Sequence, residues 1–162
     1  MPLRVLGIDP GLRCTGYGLI DFAGSKSRVV QYGTIRTDTN NSFPRRIQTV
    51  YDDILDVIQQ YEPDEFAIEE AFYSKNAKTA LQLGHVRGVA MLAAMHSKLP
   101  VTEYSAKKIK MAITGRGGAT KEQVQFMVKN MLDLSEPPTP LDASDALACA
   151  ICHQQQLKFK IQ

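Results

Sequence analysis

Four carboxylates stand where a folded chain could gather them. Asp9 closes the short β-like run Arg4 to Asp9, just before a Pro10-Gly11 turn, and Glu69 closes a second run, Glu65 to Glu69. Asp142 and Asp145 are spaced i, i+3, so they share one face of a helix. If the two runs are parallel neighbours, Asp9 and Glu69 emerge at the same carboxyl edge of a sheet, where α/β proteins place their sites. Side-chain alternation agrees, because Val5, Gly7 and Asp9 share one strand face and Ala67 and Glu69 share another. Ala143, Ala146 and Ala150 are small enough to let the helix approach that sheet closely. Carboxylates converging from three elements cannot all stay ionised without a counter-charge. A divalent cation supplies it, and all-oxygen ligation suits Mg²⁺ or Mn²⁺ rather than zinc. Two such ions about 3.5–4 Å apart would clamp the attacking and leaving oxygens of a phosphodiester. Each acid also has a plainer reading. Asp9 could form a turn, Asp142 could complete a Thr139-x-x-Asp142 capping box, and Glu69 or Glu70 could simply be solvated.

The elements that must position these acids read from periodicity and turn signals. Arg4 to Asp9, Gly16 to Phe22 and Arg28 to Arg36 read as strands, the last two as a hairpin turning at Gly24 to Lys26. Phe43 to Tyr61 is an amphipathic helix with Ile47, Val50, Tyr51, Ile54, Ile58 and Tyr61 at helical spacing, stopped by Pro63. Glu65 to Glu69 is a buried strand, Asn76 to Lys98 a long helix rich in small residues, and Pro100 to Tyr104 a fifth strand. Helices follow at Ala106 to Ile113, Thr120 to Leu132 and Leu141 to Gln155. The order favours an α/β fold with a mixed five-stranded sheet flanked by helices on both faces.

Composition narrows the function classes. The 162 residues, 44% hydrophobic, suit one globular domain and are too few for a two-domain kinase or dehydrogenase. The apolar runs are short and broken by charges, so no membrane span is expected. The chain enters a strand directly, without a signal-peptide layout, and its three cysteines suggest no disulfide framework, which together point to a reducing, cytoplasmic setting. The net charge of +2 conceals an asymmetry: residues 1–70 carry −4 and residues 71–162 carry +6. Such polarity suggests a basic face beside an acidic centre, though a solvated surface would show it too.

Lys107, Lys108, Lys110, Arg116 and Lys121 cluster within fifteen residues of that basic half, around a glycine-bearing loop at Gly115, Gly117 and Gly118 that reads as flexible. Thr120 and Gln123 form a capping box, which places Lys121 at a helix N-terminus, a favourable seat for phosphate. Phe72 and Tyr73 follow the fourth strand and could stack on unpaired bases, or pack one ring beneath the sheet. The stretch is no P-loop, since the Gly-Lys-Ser/Thr ending is missing. Cys149-Ala-Ile-Cys152-His153 matches the c-type haem attachment pattern, but it lies in an alanine-rich helix, where buried packing is the expectation. His85, His96 and His153 share no ligand spacing.

Three segments, Gly7 to Gly18 (GIDPGLRCTGYG), Phe66 to Gly88 and Leu141 to Ile151 (LDASDALACAI), closely resemble the bacterial RuvC Holliday-junction resolvases. The resemblance runs from about Val5 to His153. It implies an RNase H-like fold, a homodimer, and Mg²⁺-dependent cutting of two opposed strands of a four-way DNA junction. It places Asp9, Glu69, Asp142 and Asp145 on the family's metal-binding acids, two Mg²⁺ per site, with Mn²⁺ as a substitute. It also places Phe72 on an aromatic that contacts bases near the junction centre, and Lys110 and Lys121 near the scissile phosphates. A branch-migration complex of the RuvA–RuvB type is the implied companion. Three rivals remain at this stage: a related nuclease acting on RNA or another DNA structure, an actin-like nucleotide-binding domain, and a junction-binding module without activity.

Overall fold

The computed structural model describes residues 1–70 and 76–160. Five strands, β1 (Leu3–Asp9), β2 (Cys14–Ala23), β3 (Lys26–Arg36), β4 (Glu65–Glu69) and β5 (Val101–Tyr104), form one sheet in the order β3-β2-β1-β4-β5. β1 runs antiparallel to β2, and β2 to β3, whereas β1–β4 and β4–β5 are parallel. The mixed sheet is therefore the one the element order favours. Among the described residues five helices flank it: α1 (Phe43–Tyr61), α2 (Ala77–His96), α3 (Ala106–Thr114), α4 (Lys121–Met131) and α5 (Leu141–Lys160).

Alternation along the central strands builds two cores. Val5, Ile20 and Ala67 pack against residues of α3, α4 and α5, including Ile109, Val124 and Leu147. Leu6, Ile8, Leu19, Phe66 and Ile68 face α1 and α2, meeting Ile54, Ile58, Val86 and Ala90. β1 and β4 are covered on both faces, which is why they read as nearly continuous apolar runs.

α5 lies unusually close to the sheet, and three glycines make room for it. A Cβ at Gly7 would stand 2.2 Å from the Ala146 carbonyl oxygen, one at Gly16 1.9 Å from that of Asp142, and one at Gly18 2.7 Å from the Leu147 side chain. The small α5 residues noted in the sequence are the other half of this fit: Ala143, Ala146 and Ala150 are fully buried.

The structure departs from expectation at several ends. β2 begins at Cys14, two residues early, and pairs with Arg36; β3 begins at Lys26, because Ala23 and Lys26 close a tighter turn. α5 runs on to Lys160, with Lys158 and Lys160 in its last turn, where cations suit the helix dipole. The loop read as flexible is a bonded turn. Gly115 closes α3 in the left-handed region at φ 74°, and Thr114 Oγ1 donates to the Lys110 carbonyl (2.8 Å) while accepting from the Arg116 N–H (3.1 Å). The haem-like pattern is core. Cys149 and Cys152 are buried, and His153 bonds to Tyr104 Oη (2.8 Å) and to Glu65 (3.2 Å), tying α5 to β4 and β5. No helix among the described residues is long and apolar enough to cross a membrane.

Candidate active site

Parallel pairing of β1 with β4 runs from Val5↔Glu65 to Ile8↔Ile68, so Asp9 and Glu69 leave neighbouring strands at one edge. α5 starts against the same edge. The N–H groups of Ala143 and Ser144 both donate to the Pro140 carbonyl (3.0 and 3.2 Å), which puts Asp142 inside the first turn. Its carboxylate is thus left for the site, in place of the capping role that Thr139-x-x-Asp142 allowed. One carboxylate oxygen from each of Asp9, Asp142 and Asp145 lies within 4.8 Å of the others. Glu69 joins them through a hydrogen bond with Asp9. Asp9, Glu69 and Asp145, with Lys110, Lys121 and Glu70, border a cleft of about 280 Å³, whose apolar wall includes Ile109 and Val124.

Burial and crowding perturb Asp9, Glu69, Asp145 and Lys121. Burial, then the negative charge of Glu69 and the bond to it, push Asp9 up to about 9. Glu69 is also raised, by burial first, while its bond with Asp9 and the cations Lys121 and Lys110 pull the other way. Asp145 is raised by burial against the pull of Lys121, whose Nζ sits 3.3 Å from its carboxylate. Burial opposes the charge on Lys121, yet Asp145, Asp9 and Asp142 hold its pKa above the ordinary value. At neutral pH the cluster therefore keeps a proton on Asp9, the sign of a site built for more positive charge than the protein supplies. An all-oxygen donor set of this kind fits a hard divalent cation.

A profile of the family described as Crossover junction endodeoxyribonuclease RuvC matches residues 5–153. The chain belongs to the RuvC family. It is 48% identical to the RuvC of Desulforamulus reducens over 93% of each chain, and 52% identical to that of Pelobacter propionicus over 93% of this chain and 85% of the relative. Its fold superposes on Thermus thermophilus RuvC in complex with Holliday junction substrate with a TM-score of 0.92, at 31% identity, covering 98% of this chain and 96% of the other. The RNase H-like architecture and the nuclease class expected from the sequence are those of the family, and neither the nucleotide-binding rival nor the inactive module is needed.

The basic residues of this RuvC chain divide by position. Lys110 and Lys121 reach the carboxylate cleft. Lys108 instead lies over the Tyr104 ring, 5.6 Å from its centroid, and Lys107 packs its stem against Gly117. Arg116 lines a separate groove with Gln123 and Phe126. Phe72 and Tyr73 lie outside the described residues. Two features escaped the sequence reading. Glu70 lines the cleft, and the half-buried Cys14 stands beside Asp142, its thiol raised by burial and then by that carboxylate. No spacing pattern marks Cys14, because only the packing of α5 across β2 brings it there.

Lys121→Ala should lower the cleavage rate about tenfold or more, since it removes a charge-assisted contact worth roughly 1.5–3 kcal/mol. The side chain is largely exposed, so the melting temperature should stay within about 2 °C. Single-turnover rates at saturating junction, with a thermal melt alongside, check both; an unchanged rate would make Lys121 an ordinary surface lysine.

Proposed function

We propose that this chain is a Holliday junction resolvase, cutting two opposed strands of a four-way DNA junction in recombination and repair. The observation that carries the reading is the convergence of Asp9, Asp142 and Asp145, with Glu69 bonded to Asp9, in a chain of the RuvC family. In this reading Asp9, Glu69, Asp142 and Asp145 hold two Mg²⁺ per site, with Mn²⁺ able to substitute. Bound cations there would polarise the phosphate, favour hydroxide over water and offset charge on the departing oxygen. On binding cations Asp9 would give up its proton, and the buried carboxylates would be the ligands. Lys121 and Lys110, already at the cleft, meet the non-bridging oxygens of the reacting phosphate. Water oxygen bonds to phosphorus, the bond from phosphorus to the 3′ oxygen breaks, and the proton from water ends on that oxygen.

Symmetric cutting needs two sites across a two-fold axis, hence a homodimer. α2 supports this. Leu81, Leu92 and Met95 are 68%, 47% and 59% exposed, and they lie on one stripe with Gly84 and Gly88, beside which there is open space. Gly84 and Gly88 could permit close contact with a second helix or pack on the chain's own sheet, and among the described residues nothing lies within 4 Å of a Cβ at either. We assign this stripe to the dimer. Lys107, Lys108 and Arg116 extend the DNA-binding face beyond the cleft, with Phe72 and Tyr73 as base-stacking residues nearer the junction centre. The whole chain acts as a single nuclease domain in the cytoplasm, alongside a RuvA–RuvB type branch-migration complex.

Incubating an end-labelled four-way junction with the protein should give paired nicks at symmetric positions in Mg²⁺ or Mn²⁺, and none in EDTA. Equal cutting of linear duplex or RNA–DNA hybrid, or nicking without metal, would overturn the reading.

A further inference from the structure

We propose that Arg36 binds the backbone phosphate adjoining the scissile one, on the Asp142 side of the carboxylate cluster. The inference rests on the nuclease reading of that cluster. Arg36 is the last residue of β3 and pairs with Cys14, the first of β2. Directly opposed residues in an antiparallel ladder project from the same face. Cys14 shares its face with Gly16 and Gly18, the two positions on which α5 rests. Ile35, the neighbour of Arg36, is buried with α1 on the opposite face. Arg36 therefore stands on the catalytic face of the sheet. The charge order there is set by Cys14, whose thiol interacts with Asp142 and also lies within the field of Arg36.

The guanidinium is exposed and forms no ion pair among the described residues. Its platform is firm. Arg46 donates to the Leu12 carbonyl (2.5 Å) and to Thr37 Oγ1 (3.2 Å), and the Thr37 N–H donates to the Arg13 carbonyl (3.1 Å), which clamps the end of β3 onto the loop after Asp9. Across the cluster, Lys110 and Lys121 attend Glu69 and Asp145. The acids are thus bracketed by cations on two sides. A DNA strand carries one charge per nucleotide, so a strand whose reacting phosphate lies over the acids needs cations for the phosphates before and after it. Arg36 supplies one of them from the β3 end, and its fork suits two phosphate oxygens at once.

The test combines Arg36→Gln with four-way junctions in which a neutral methylphosphonate replaces the phosphate on either flank of the cleavage point. Binding is read in Ca²⁺, and cleavage in Mg²⁺. Arg36→Gln should weaken junction binding about tenfold and reduce the salt slope by about 1, with the melting temperature and Mn²⁺ affinity of the free protein unchanged. On one flank, the methylphosphonate should cost the wild-type protein the same factor and cost Arg36→Gln nothing further. Wild-type affinity in Arg36→Gln, or losses that multiply on both flanks, would overturn the assignment. Asp9→Asn run in parallel separates the two levels: if it cuts normally, the nuclease site itself is wrong, whatever Arg36 does.

Discussion

Asp9→Asn is expected to reduce cleavage by on the order of a thousandfold, because the cations it helps hold are worth several kcal/mol to the transition state. Junction affinity in Ca²⁺-free, Mg²⁺-free buffer near pH 7 should be kept, since the metal-free site already holds a proton on Asp9 and Asn leaves the charge of the DNA face unchanged. The metal-free protein offers a second readout. The folded pKa of Asp9 is about 9 against an ordinary 3.8. Below 3.8 both folded and unfolded chains hold the proton, and the group makes no difference. Between 3.8 and about 9 the unfolded chain releases it while the folded chain keeps it, so stability falls as pH rises through that window. Asn carries no such slope. The melting temperature of Asp9→Asn in EDTA should therefore match the wild type near pH 4 and exceed it increasingly toward pH 8. A wild-type cleavage rate, or a gap that closes with rising pH, would remove Asp9 from the site.

Gly16→Ala should be among the most damaging single-methyl changes in the molecule. The new Cβ would stand 1.9 Å from the Asp142 carbonyl oxygen and 3.0 Å from the Ala143 nitrogen, both main-chain atoms of α5 that have no rotamer to escape into. α5 must lift from β2, at a cost of about 1–3 kcal/mol or more, which lowers the melting temperature by roughly 2–4 °C per kcal/mol. The same movement carries Asp142 away from Asp9, so cleavage should fall by more than the loss of folded protein explains. Gly118→Ala is the control, because nothing lies within 4 Å of its Cβ position and its backbone is outside the left-handed region. Equal melting temperatures for the two variants would mean that α5 does not pack as tightly as the contact distances require.

Both results bear on how the site is built. Asp142 is placed by backbone contact with β2, and Asp9 and Glu69 by strand pairing, so the acids are held together by secondary structure on rigid elements, with loops contributing little. That arrangement resists the repulsion among the carboxylates, and the proton retained on Asp9 relieves what repulsion is left in the metal-free state.

Much of this was legible in the chain itself. The two-residue period of β1 and β4 announced which face Asp9 and Glu69 share, and the i, i+3 spacing of Asp142 and Asp145 did the same for α5. The Thr120/Gln123 capping box was readable too, and both its bonds are present. Such features are local: they depend on dihedral preferences and on side chains a few residues apart. What needed the tertiary structure was everything set by contacts between distant segments. The parallel register of β1 with β4 joins residues 60 positions apart, as in Val5↔Glu65. The burial of Cys149, Cys152 and His153 dismissed a haem-like pattern that spacing alone could not. Arg36 gives the clearest contrast. Nothing in its neighbourhood along the chain marks it, because its face is fixed by hairpin register and the seating of α5 on that face by glycines on β1 and β2. Short-range chemistry is written in order along the polymer, whereas the meeting of remote charges is decided by which surfaces can close against each other, and here three missing side chains on β1 and β2 made that decision.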